Sequence, residues 1–261
     1  MTGEEKRIWL IRKMQEEMPR YAKYPIPEDA EGQWQLLRGL FNVRPPIAPS
    51  PEFLEIQDAL LREMTAEKGI HRIEEMKPCP LDPSLYLWQG DITTLNTDTI
   101  VNAANSQMLG CFRPNHGCID NIIHTMAGVQ LRLKCHELME RQGHEEETGQ
   151  AKLTPAYNLP SKYVIHTVGP IVEGTLNREH CAQLASSYHS CLELAAAHEC
   201  GSIAFCCIST GVFGFPKQAA AEIAVSTVRD FLTKHDTEIK VLFNVFLDED
   251  REIYRRILGW T

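Results

Sequence analysis

From about residue 84 the chain alternates short apolar runs with longer amphipathic segments, and this alternation restricts the possible folds more than any other feature. The runs Ser84–Gln89, Thr99–Ala103, Tyr163–Val168, Ser202–Ile208 and Ile239–Phe246 read as strands. Cys118–Arg141, Arg178–His198, Lys217–Lys234 and Asp250–Leu258 read as helices, the first with Ile119, Ile122, Ile123, Met126 and Leu133 on one stripe. Strands alternating with helices of this length predict an α/β sheet covered on both faces. Ligands of such sheets gather at the carboxyl ends of the strands, so chemistry is sought in the segments that follow them.

The first 78 residues follow another pattern. Helix-like stretches at Glu4–Met18 and Ser50–Glu67 flank a proline-rich span with Pro45, Pro46 and Pro49. Ser50 followed by Pro51 suits a helix cap and first turn. Leu54, Gln57, Leu61 and Met64 then recur at helical spacing with Leu60 alongside, and Gly69 is a stop. Pro78, Pro80 and Pro83 punctuate the join. The predicted organisation is a helical N-terminal extension over 1–78 and an α/β domain over 79–261.

A net charge of −9 argues against a nucleic-acid binder that works through a basic surface, and no stretch approaches the length needed to span a bilayer. Neither nucleic acid nor membrane is an expected partner. An acidic chain can still hold an anionic ligand through oriented backbone N–H groups. There are nine cysteines, an odd number, most of them in apolar segments. The first twenty residues mix acids and bases without the apolar core of a secretory signal. The expectation is a reduced, cytoplasmic protein whose thiols are mostly buried small hydrophobes. The two cysteines flanking His116 stand apart.

Four segments follow predicted strands. In Gly90-Asp91-Ile92-Thr93, Asp91 either accepts a hydrogen bond from an exocyclic amine such as that of adenine or caps a turn. In Asn102-Ala103-Ala104-Asn105, two amides on a small-residue background suit sugar hydroxyls, or an Asn in a left-handed turn. Ser209-Thr210-Gly211-Val212-Phe213-Gly214 runs from a buried strand towards a helix. Its backbone N–H groups form either an anion nest for a diphosphate or a merely structural loop. The sharpest segment is Cys111-Phe112-Arg113-Pro114-Asn115-His116-Gly117-Cys118, with two thiols and an imidazole just before a helix. Cys111, His116 and Cys118 suit Zn²⁺, and the helix start would favour a thiolate at Cys118. Three protein ligands resemble a catalytic zinc with an open position. The alternatives are a closed structural zinc completed by a distant residue, or no metal.

Taken in order, Gly90-Asp91-Ile92-Thr93, Asn102-Ala103-Ala104-Asn105, Ile165-His166-Thr167-Val168-Gly169-Pro170 and Ile208–Gly214 resemble the macrodomain family over roughly residues 84–258. Asp120-Asn121-Ile122-Ile123-His124, with Ala127-Gly128, resembles the helix start of the MacroD-type hydrolases. The glycine-rich loop that normally precedes that aspartate is replaced by Cys111–Cys118. This departure is itself similar to the zinc-dependent branch of microbial macrodomains, which also carry an N-terminal helical extension.

The resemblance implies a three-layer α/β/α fold with a mixed central sheet and ADP-ribose at the strand ends. It implies that Asp91 holds the adenine amine and the Ile92 backbone the ring edge. Asn105, and Asn102 less directly, would lie by the distal ribose. Residues 118–121 (Cys118, Ile119, Asp120, Asn121) and 209–214 would line the pyrophosphate and distal ribose. Phe246 either stacks on adenine or packs in the core.

The implied reaction is hydrolysis of the glycosidic or ester bond between the distal ribose and a protein side chain. One zinc per chain would be the Lewis acid or activate a water, and Asp120 would orient the nucleophile or act as general base. The rivals are a reader that binds ADP-ribose around a structural zinc without cutting, and an enzyme acting on small acylated or phosphorylated ADP-ribose derivatives. By resemblance alone, a lipoylated carrier protein is the substrate and a sirtuin-type ADP-ribosyltransferase the opposing enzyme.

Overall fold

A computed structural model of the chain describes residues 1–235 and 237–260. The strands, in chain order, are β1 (His71–Arg72), β2 (Pro78–Cys79), β3 (Asp82–Gln89), β4 (Leu95–Asn96), β5 (Thr99–Ala103), β6 (Ala151–Pro155), β7 (Tyr163–Thr167), β8 (Ser202–Phe205) and β9 (Lys240–Val245). Seven of them form one mixed sheet in the order β2-β3-β9-β8-β5-β7-β6, while β1 and β4 form a separate parallel pair. From β3 to β7 all neighbours are parallel, and β2 and β6 are antiparallel edges. The central strands bury both faces: Ile100, Val101, Ile203, Ala204, Val241 and Leu242 are fully enclosed. That explains their near-continuous apolar runs.

The helices are α1 (Gly3–Glu17), α2 (Ala30–Val43), α3 (Pro51–Lys68), α4 (Ile119–Ala127), α5 (Val129–Gln142), α6 (Arg178–Ala197), α7 (Lys217–His235) and α8 (Asp248–Ile257). Helices α6, α7 and α8 cover one face of the sheet and α4 and α5 the other, which gives three layers, α/β/α. Helices α1–α3 stack outside α4. They bury Leu10, Ile11, Met14, Leu37, Leu40, Leu60 and Leu61 among themselves and against the body, each burial contributing about 1.5–3 kcal/mol. Ser50 caps α3 by accepting from the Phe53 N–H (3.1 Å), with Pro51 in the first turn and Gly69 at φ +88° past the end.

Buried polar contacts fix the extension to the body. The Gln57 Oε1 of α3 accepts the Val129 N–H (2.9 Å) at the start of α5. Arg132 of α5 donates back to the Phe41 and Arg44 carbonyls (2.9 and 2.6 Å).

Three departures from the sequence reading have physical causes. Helix α2 falls between the two helix-like stretches, in the span read only as proline-rich. Its Asp29 cap accepts from the Gly32 N–H (2.8 Å), but Gly32 and Gly39 dilute its propensity, and its buried face includes the polar Gln33 and Asn42. The helix expected over Cys118–Arg141 is two helices, divided at Gly128, whose φ of +96° stops the first. Strand β6 was not expected; it is a half-buried edge. Among the described residues no helix is long and apolar enough to cross a membrane. All nine cysteines are free thiols.

Candidate active site

The loop from β5 to α4 brings Cys111, His116 and Cys118 together. Their donor atoms lie within 4.8 Å of one another, and Cys111 Sγ is 3.6 Å from His116 Nδ1. A tetrahedral zinc, with bonds of about 2.3 Å to sulfur and 2.0–2.1 Å to nitrogen, holds its ligand atoms roughly 3.5–3.8 Å apart, so the trio fits that ion. The loop is shaped from below by Asn121. Its buried amide donates to the Arg113 carbonyl (3.0 Å) and, at longer range, to the Cys111 carbonyl (3.4 Å). Cys118 is the first cap of α4, as its place in the sequence requires. Burial pushes the Cys118 thiol up to about 12, against the lowering effect of a backbone hydrogen bond from Asn121.

Two residues further on, Asp120 is almost wholly buried, and that desolvation raises its carboxyl to about 6 despite an Asn102 hydrogen bond and the Arg132 charge. Asn102 lies on β5 with no exposed surface; its amide donates to Asp120 Oδ1 (2.8 Å) and to His166 Nδ1 (3.1 Å). It therefore orients the carboxylate from behind, where the family resemblance had set it near the sugar. His124, Cys135 and His166 form a second, fully buried donor group. His166 is engaged at both nitrogens, by Asn102 and by Thr154 Oγ1 (3.0 Å), and burial pushes it down to about 3, which describes a neutral core histidine.

Both the trio and Asp120 open into a cleft of about 490 Å³ at the carboxyl ends of β5, β8 and β9. Of the residues singled out in the sequence, Asn105, Cys111, His116, Cys118, Ile119 and Asp120 form one wall. Ser209, Thr210, Gly211, Val212 and Phe213 form another, and Phe246 a third. Among the described residues, the Gly211, Val212 and Phe213 amides take no part in the loop's own hydrogen bonds, whereas Gly214 and Phe215 donate back to Gly211 and Ser209. Three N–H groups unpaired within the loop, on residues that line a cleft, suit an anion. The neighbouring Lys217 is paired with Glu249 (2.6 Å) and Asp250 (3.2 Å), so backbone dipoles are the available positive groups there. Core packing of Phe246 is ruled out, since the ring is 72% exposed at the cleft edge.

Asp91, Ile92, Asn102, Asn121 and Gly214 are not part of the lining. Ile92 is buried. Burial works against the Asp91 charge, but Lys68 (2.9 Å) and the Thr93 hydroxyl (2.6 Å) outweigh it and hold the carboxyl below its ordinary value. Asp91 nonetheless adjoins the cleft through Gly90, whose carbonyl accepts from the lining residue Asn244 (3.0 Å). Residues missed in the sequence are Cys206, Cys207, Asn244, Leu247 and Asp250, which also line the cleft. Their position at the ends of β8 and β9 was the available signal.

Residues 101–224 match the family described as Macro domain, a span that runs from β5 into α7. The chain is 54% identical to a protein-ADP-ribose hydrolase of Treponema medium, over 99% of this chain and all of that protein. It is 48% identical to a protein-ADP-ribose hydrolase of Staphylococcus aureus strain Mu50, covering 96% of this chain and 94% of that one. Among solved structures, a Trypanosoma brucei macrodomain in complex with ADP-ribose superimposes with a TM-score of 0.66 at 32% identity, over 82% of this chain and 92% of that one. Shared along nearly its whole length with such relatives, and built on the same sheet, the chain belongs to the macrodomain family.

Proposed function

We propose that this hydrolase removes mono-ADP-ribose from modified protein side chains, with one zinc held by Cys111, His116 and Cys118. The observation that carries the reading is the convergence of this trio, Asp120 and residues 211–213, whose N–H groups are unpaired within the loop, on one cleft. Phe246 stacks on adenine, with Asp91 exchanging its Lys68 partner for the adenine amine and the Ile92 backbone meeting the ring edge. Residues 209–214 hold the pyrophosphate by their N–H groups, and Asn105, Ile119 and Asn121 shape the pocket of the distal ribose.

In the reaction, water adds to the anomeric carbon of that ribose as the bond to the protein side chain breaks. Asp120 takes the water proton, a role its raised pKa suits at neutral pH. A zinc bound by the trio would supply a Lewis acid beside the ribose. Asn102, fixed by His166, keeps the Asp120 carboxylate aimed.

The reading is tested with Cys118→Ala. Zinc content is measured alongside mass-spectrometric turnover on proteins modified at acidic residues, including a lipoylated carrier protein modified by a sirtuin-type transferase. The variant is expected to hold no zinc and to lose at least tenfold in kcat while still binding ADP-ribose. ADP-ribose binding without turnover in the wild type would instead describe a reader.

A further inference from the structure

The N-terminal extension reaches the loop of residues 111–118 through Arg38 and Asn42 of α2, and Arg38 meets a carbonyl of the trio itself. Arg38, on α2, uses a single guanidinium nitrogen to donate to the His116 carbonyl (2.7 Å) and to Asn121 Oδ1 (3.0 Å). We propose that Arg38 is a positioning residue for the metal trio, so that the helical extension is a working part of the active site. The proposal rests on the zinc reading above and deepens it.

The backbone carbonyl of each ligating residue has its own tether. That of Cys111 accepts from the Asn121 amide (3.4 Å), and that of Cys118 from the Ile122 N–H of α4 (3.2 Å). Both tethers come from α4, within the macrodomain. That of His116 accepts from Arg38, which lies 78 positions earlier in the chain. Arg38 also holds the oxygen of the Asn121 amide, whose nitrogen donates to Cys111 and Arg113, so one guanidinium orders both ends of the loop.

A second contact from the same helix supports this geometry. Asn42, one turn after Arg38 and almost wholly buried, accepts the Asn115 N–H (2.9 Å), and its amide donates to Thr125 of α4 (3.0 Å). Asn115 sits in the left-handed region at φ +55°, which asparagine adopts more readily than other non-glycine residues, and the Asn42 bond holds its N–H there. Between these two residues, Gly39 lies against the loop, where a Cβ would make ordinary van der Waals contact with Asn115 and Pro114 (3.6 and 3.8 Å).

The choice of arginine is informative. Among the described residues Arg38 has no carboxylate partner; its half-buried charge is spent on a carbonyl and an amide oxygen. Charge-assisted hydrogen bonds of this kind are shorter and stronger than neutral ones, and the planar guanidinium serves two acceptors at once. Groups that orient a metal ligand from outside its coordination sphere typically govern metal affinity by about 10–100-fold.

The test compares wild type, Arg38→Ala, Arg38→Lys and the exposed α1 control Arg12→Ala. Zinc affinity is read by competition with a chromogenic chelator, and amide hydrogen exchange of residues 111–118 is read in zinc-loaded and metal-free protein. Arg38→Ala is expected to weaken zinc binding about 10–100-fold and to speed exchange of the loop, with kcat falling and KM unchanged. Arg38→Lys, which keeps the charge but carries it on a shorter stem with a tetrahedral ammonium, should fall between Arg38→Ala and wild type and guards against a folding defect. Affinity and exchange matching Arg12→Ala would overturn the proposal. If the wild type itself holds no zinc, the catalytic-metal reading fails on that measurement; faster exchange in metal-free Arg38→Ala then still upholds the positioning of the loop, and unchanged exchange overturns it.

Discussion

At the scale of the residue, Asp120 shows how burial sets the protonation of a carboxyl group. Its folded carboxyl is raised from 3.8 to about 6 by burial. The native state therefore binds more protons than the unfolded chain between about pH 4 and 6, and stability falls as pH rises through that window. Above about pH 6 the full penalty applies, on the order of 2–3 kcal/mol, a net figure in which the attraction of Arg132 is already counted. Asp120→Asn, which can still accept from Asn102, is thus expected to melt higher than wild type at pH 7.5, with the gain vanishing near pH 4. The same substitution should lower kcat by about 10²–10⁴-fold. The wild-type kcat/KM should rise through about pH 6 and level off, a limb that Asp120→Asn lacks. Calorimetry and a pH–rate profile check both halves. Asp120 was legible in the sequence as a motif residue; its partner Asn102 was legible only as a residue near a sugar. The turn of a strand that hides its side chain behind Asp120 is set by the sheet pairing, which no local pattern reveals.

At the scale of the element, the loop of residues 209–214 depends on a glycine in a neighbouring segment. A Cβ on Gly169, just after β7, would come within 2.1 Å of Ser209 Oγ and 2.7 Å of Ile208 Cγ2. Ser209 is held at φ +65° with its hydroxyl buried and unpartnered, so it has little freedom to move aside. Gly169→Ala is expected to displace residues 209–213 and weaken ADP-ribose binding by about tenfold or more, with the overall fold intact. Calorimetric titration with ADP-ribose checks it, and unchanged affinity would show that the loop's backbone does not hold the ligand. Alternating strands and helices were readable because each buries enough apolar surface to leave its period in the sequence. Helix α2 was not, because the positions it turns inward include Gln33 and Asn42, whose burial makes sense only beside the partners they meet. The break at Gly128 was unread because an apolar stripe runs up to it and a glycine inside a helical pattern is often tolerated.

At the scale of the whole molecule, the sheet puts the ends of three strands on one cleft, and the extension holds the 111–118 loop through Arg38 and Asn42. Neither half alone contains every group that shapes the site. The central claim is that a zinc ion held by two thiolates and an imidazole drives the removal of ADP-ribose. It is tested most directly by measuring zinc per chain and the rate of ADP-ribose release from a mono-ADP-ribosylated protein, before chelation, after it, and after zinc is restored. The account predicts about one zinc per chain, a loss of at least tenfold in rate on stripping, and recovery on re-addition. Full turnover by protein verified to be free of metal would contradict it.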